Sequence, residues 1–208
     1  MERKPRLLVA ISLVMLLMAA CKKSADLPDI KSDTVASSSS AAAVTGNVTY
    51  TLVRSSNPTS TEQAAYTLIT AAMDSAVWYM NHYTTFTKAL TVTYVPSVAT
   101  ADGNINGSIR FGSNTYYMNL ATALHEIAHT VGVGTSSAWW NTLIVNGIYT
   151  GTNATQILRT ITGDSTAVIH GDSQHFWPYG FNYPSEVASV YDYMYHCQIL
   201  EGMKMDGL

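Results

Sequence analysis

Between Asn47 and Phe111 the apolar residues change period twice, and that switch constrains the fold more than any other feature of the chain. Val48, Tyr50 and Leu52 alternate with polar neighbours from Asn47 to Val53, the two-residue period of a half-buried strand. Ser60 with Gln63 three residues on has the spacing of a capping box, and Ala65, Leu68, Ala72, Val77 and Met80 then recur at helical spacing. A helix to about His82 is predicted. Leu90 to Val95, rich in β-branched and aromatic residues, predicts a second strand stopped by Pro96. Ala101-Asp102-Gly103-Asn104 is turn chemistry, and Ile105 to Phe111 alternates again with Gly107 interrupting, which suits a strand at a sheet edge. Asn119 to Thr130 then reads as a helix with Leu120, Leu124, Ile127 and Ala128 on its apolar side, ended by Gly132 and Gly134. The order predicts an α+β fold in which a small mixed sheet, edge strand included, packs on two helices.

Beyond Gly134 the pattern is weaker, and a mainly helical and loop-rich second half is expected. Short helices are predicted around Trp139 to Val145 and Asn153 to Thr160, and ordered loop from Gly171 to Pro184, where Gly, Pro and aromatic residues crowd together. Ser185 is read as the cap of a last helix, with Val187, Val190, Met194, Cys197 and Leu200 on one face and its end near Gly202. No repeat of 20 to 50 residues is visible. A body of about 160 residues can bury roughly two thirds of its unfolded surface, so a single domain over 47–208 is expected.

The first twenty residues belong to no fold. Glu2, Arg3, Lys4 and Arg6 precede an apolar run from Leu7 to Ala20 that is short for a membrane span, the pattern of an export signal. The run ends in Leu17-Met18-Ala19-Ala20-Cys21, which resembles the lipobox of bacterial lipoproteins. That resemblance implies cleavage before Cys21, acylation of its thiol, and a protein exported and lipid-anchored to the bacterial cell envelope, at the outer membrane or cell surface. Residues 21–46, polar and then Ser/Ala-rich, are read as a flexible tether. With Cys21 lipidated, Cys197 has no intramolecular partner, and the domain must stand without disulfides. A formal charge of −3 with only 12% charged residues lacks the basic face that phosphate binding needs, which excludes nucleic acid.

The chemistry concentrates in His125-Glu126-Ile127-Ala128-His129, an HExxH motif inside the predicted helix. Four residues make slightly more than one turn, so both imidazoles leave the same face and can reach one zinc ion at about 2.0–2.1 Å. Glu126 is offset around the helix. It is placed to take a proton from metal-held water without itself ligating, so it is the candidate general base and catalytic residue. Two histidines leave a catalytic zinc one protein ligand short. His170, Asp172, His175, Glu186 and His196 are the candidates for the third, and His175 is favoured because its Pro- and aromatic-rich loop can fix the ring.

His125 to Gly132 reads His-Glu-x-x-His-x-x-Gly, which resembles the opening of the metzincin signature among zincin metallopeptidases. The preceding order of elements is similar to the upper half of that fold, over about residues 47–134. The segments His125–Thr135 and His175–Tyr183 are also similar to secreted bacterial zincin-like proteins, some of which carry lectin modules. The resemblance implies a zinc metallopeptidase that aligns a peptide or protein substrate along the edge strand 105–111. Thr135 stands where metzincins have their third ligand, a departure from the family. In thermolysin-like enzymes that ligand is a glutamate on a later helix, which makes Glu186 the alternative, although Val190 stands where those enzymes have an aspartate. Asp192-Tyr193-Met194-Tyr195 is the nearest approach to a methionine turn, but Met194 falls in a helical pattern and is read as core. His82 and His196 are read as structural, and Tyr179 or Tyr183 as a candidate oxyanion donor. The chain is expected to act as a monomer. A rival reading makes it a surface glycan-binding or scaffold lipoprotein with structural zinc or none, in which Trp139, Trp140, Trp177 and the tyrosines stack on sugars.

Overall fold

The computed structural model describes residues 45–208, all within one compact unit. The predicted export signal, Cys21 and most of the tether lie outside the described residues. No described helix is long and apolar enough to cross a membrane.

Strand β1 (Asn47–Val53) pairs in parallel with β2 (Thr87–Tyr94), and helix α1 (Ser60–Tyr83) joins them. The helix starts one residue earlier than its sequence spacing suggested. Thr59 is the N-cap, its hydroxyl accepting from the Glu62 amide while the Glu62 carboxylate accepts from Thr59, so the capping box is Thr59/Glu62, not Ser60/Gln63. Ile69, Met73, Ala76 and Met80 form its buried stripe, with Leu68 left on the outer side.

The edge of the sheet is not where the alternation placed it. β3 (Ala101–Gly103) and β4 (Ser108–Phe111) form an antiparallel hairpin, and β4 also pairs in parallel with β2, giving the order β1-β2-β4-β3. Residues read as a turn are thus the edge strand, and the strand read as the edge is internal. Ile109 and Phe111 explain this: both are fully buried in the core, a position that needs neighbours on both sides, while Ile105 sits exposed in the connecting turn.

Helix α2 (Leu120–Thr130) packs across this sheet, capped by the Asn119 side chain on the Thr122 amide. After it comes a second, very small antiparallel sheet that the sequence reading missed. A π-helical turn (Trp139–Leu143) leads into β5 (Ile144–Val145) and β6 (Ile148–Tyr149), followed by α3 (Thr152–Thr162), β7 (His170–Gly171) and β8 (Phe176–Trp177). Asn146 and Gly147 both have positive φ between β5 and β6, which is the Asn-Gly hairpin signal.

The last helix, α4 (Tyr191–Met205), begins five residues later than a cap at Ser185 predicts, because the Asp192 carboxylate accepts the Ala188 and Ser189 amides and turns the preceding chain away. It also runs past Gly202, where the missing side chain lets it sit against the Ala154 backbone at the start of α3. Ile199, Leu200 and Met203 complete the core beneath α1 and α2. Cys197 is free and buried there.

Candidate metal centre

Helix α2 presents His125 and His129 on one face, and the second small sheet brings His175 to them. One ligand atom from each of the three lies within 4.8 Å of the others. The Nε2 atoms of His125 and His129 are 3.1 Å apart. Two nitrogens about 2.0–2.1 Å from a tetrahedral zinc would stand roughly 3.3 Å apart, so the spacing fits one ion between them.

The outer nitrogens fix which atoms face inward. His125 Nδ1 lies 2.8 Å from the Gly180 carbonyl and His129 Nδ1 2.8 Å from the Val133 carbonyl. A carbonyl only accepts, so both Nδ1 atoms carry the proton and both Nε2 atoms present lone pairs, the arrangement that metal-ligating histidines adopt. Facing lone pairs repel. Burial and the neighbouring His129 ring push His125 down to about 3, and burial lowers His129 as well, so without a cation the pair stays neutral.

Glu126 is 4% exposed and its Oε2 is buried with no hydrogen-bond partner among the described residues. Such an orphaned acceptor is costly unless a water, substrate or cation meets it. Burial, and to a smaller degree the Asp102 carboxylate, raises Glu126 to about 8. All four residues line one cleft of about 520 Å³.

One wall of that cleft is β3. Gly103 lies against the Glu126 carbonyl. Asn104 N–H donates to the Ser108 carbonyl and Gly112 N–H to the Thr100 carbonyl, so the even-numbered residues bond to β4. Ala101 and Gly103 therefore turn their amides and carbonyls to the outer edge, where the Ala101 carbonyl accepts the Thr100 hydroxyl at 3.2 Å, and both line the cleft. Arg110 grips Asp102 with two hydrogen bonds, 2.8 and 2.6 Å, and holds that wall in place.

The other wall comes from the loops. Thr135 spends its hydroxyl on the His129 carbonyl at 2.5 Å and does not join the histidine cluster. Gly134, at φ +64°, has the Gln174 backbone packed so closely that a side chain would collide with it. Asp172 lines the cleft beside His175, whereas His170 stacks on Trp177 and Glu186 is exposed on a 3-10 turn, both outside the histidine cluster. Tyr183 lines the cleft; Tyr179 does not, since its carbonyl accepts from His196 and its ring packs on Tyr195. Met194 lies half-buried on α4. The residue packed behind the site is His196, fully buried, stacked on Phe181 at 4.8 Å and on Phe176 at 5.8 Å. Burial pushes it down to about 4. His82 stacks on the exposed Trp78. No family model, curated protein or solved structure matches this chain.

Proposed function

We propose that this chain is a zinc-dependent hydrolase, and within that class a metallopeptidase of the zincin, metzincin-like kind, exported and lipid-anchored through Cys21. The observation that carries the reading is the convergence of three imidazoles beside a buried carboxylate whose Oε2 has no partner among the described residues. His125, His129 and His175 would hold the ion. Bound there, zinc supplies Lewis acidity for a carbonyl oxygen and lowers the pKa of water towards about 7.

The chain's own residues do the remainder. Glu126 accepts a proton from the attacking water as its oxygen bonds to the carbonyl carbon, and it returns that proton to the amine nitrogen as the C–N bond breaks. A cation nearby would favour the ionised carboxylate, the form in which Glu126 can accept a proton. The free edge of β3, through Ala101 and Gly103, offers main-chain hydrogen bonds to an extended peptide. This replaces segment 105–111 as the alignment strand. Tyr183, exposed and lining the cleft, would donate a hydrogen bond to a developing oxyanion.

Of the aromatic residues that the glycan-binding alternative invokes, Trp139 is fully buried and closed to a sugar, whereas Trp140, Trp177 and Tyr183 are exposed. The deciding experiment is Glu126→Gln: the variant should retain stoichiometric zinc and lose about 10²–10⁴-fold in peptide turnover. Turnover equal to the parent's would remove Glu126 as the base, and absence of zinc from the parent would remove the metal centre.

A further inference from the structure

His175 differs from the other two imidazoles in how it is held. His125 and His129 are carried by a helix; His175 stands in a loop between two two-residue strands, with its side chain 34% exposed. Such a loop fixes a ring only if something else restrains it.

The restraint converges on one carboxylate. Asp172 Oδ1 accepts the Gln174 amide at 2.7 Å and the His175 amide at 2.7 Å, and the same oxygen lies 3.5 Å from His175 Nδ1. The loop is also clamped from behind. Trp139 Nε1 donates to the Asp172 carbonyl at 3.0 Å and Trp140 Nε1 to the Ser173 carbonyl at 2.9 Å. On its other side the Gln174 backbone rests on Gly134. The loop backbone and the Asp172 carboxylate are therefore tied to the Trp139–Trp140 turn and to Gly134.

We infer that Asp172 is a positioning residue for His175: its carboxylate faces the outer ring nitrogen, orients the imidazole and leaves Nε2 to face the ion. At 3.5 Å the contact is longer than the 2.8 Å bonds from His125 and His129 to the Gly180 and Val133 carbonyls, and it sets a carboxylate where those two rings have a neutral oxygen. The inference rests on the metal-centre reading. Asp172 holds the ligand and is not itself a ligand; the cluster that can share one ion contains the three histidines without it.

The test is a zinc titration of the full chain against a competing chelator, run for the parent, Asp172→Ala, Asp172→Asn, His175→Ala and the Asp172→Ala/His175→Ala double variant. Asp172→Ala should lower zinc affinity about 10–100-fold. Asp172→Asn should lose less, because an amide oxygen still accepts the two loop amides without the charge. In the His175→Ala background, Asp172→Ala should change nothing further, and the cobalt-loaded absorption bands of the Asp172 variants should move towards those of His175→Ala. Parental affinity in Asp172→Ala, or an equal loss with and without His175, overturns the inference and leaves the metal centre standing. A parent that binds no zinc overturns both.

Discussion

The two halves of the domain solve the same problem by different means. From β1 to α2, positions are set by ladders and helical turns: β1 and β2 pair along seven consecutive residues, and His125 and His129 share a face because they are four apart on a helix. From Gly134 to Val190 the regular elements are mostly two or three residues long, and side chains bonded to distant backbone do the holding. Trp139 and Trp140 tie residues 139–140 to 172–173, Arg159 Nε donates to the Ala167 carbonyl, and Asp206 accepts the Asn153 and Ala154 amides at the start of α3. Local geometry makes one part of the centre rigid. The other part is rigid only through its contacts, so single substitutions should break the two halves in different ways.

Loss of a helix ligand should be the largest effect. His129→Ala should abolish stoichiometric zinc, a greater loss than the 10–100-fold that an outer partner commands. His175→Ala should retain weak binding through the pair on α2, and Glu186→Ala should leave affinity at the parental value. Metal content after chelator competition ranks the three. If His175→Ala costs nothing and Glu186→Ala costs much, the loop is not part of the centre.

Acid should act next, through His196 between the two halves. Its folded pKa of about 4 lies below the unfolded value of 6.5, so the unfolded chain takes up a proton first. The share of metal-free stability that His196 carries should be lost as pH drops from about 6.5 to about 4, by about 3 kcal/mol, alongside the losses from His125 and His129. Urea titrations of the parent and His196→Gln across that window give the difference; parallel curves would sink the assignment.

Gly134→Ala should destabilise by about 2 kcal/mol, since it combines positive φ with a collision against the Gln174 backbone, and it should weaken zinc binding along with folding. Thr59→Ala should be the smallest, about 1 kcal/mol from a lost cap, with zinc affinity unchanged. Equal effects of the two on zinc would erase the contrast between the halves.

Much of the first half is legible in the residues, and its errors are instructive. Thr59 and Glu62 satisfy the capping-box spacing as well as Ser60 and Gln63, and only the positions of the hydrogen-bonded groups separate the two. Ala101–Gly103 carries turn residues yet becomes the edge strand, because pairing with β4 overrides weak local preference. In the second half the Asn146-Gly147 dipeptide was a readable hairpin signal, whereas β7 and β8 have no signature at two residues each. Gly202 looks like a helix stop and is instead a contact point, a distinction that depends on Ala154 lying opposite.

What the sequence by itself determined is the spacing of His125, Glu126 and His129, since a helix of fixed pitch turns a gap of four into a shared face. The tertiary structure alone decided that His175 joins them while His170 and Glu186 do not, and that Ala101 and Gly103 border the cleft. Those outcomes depend on contacts between residues far apart in the chain, which no local period encodes.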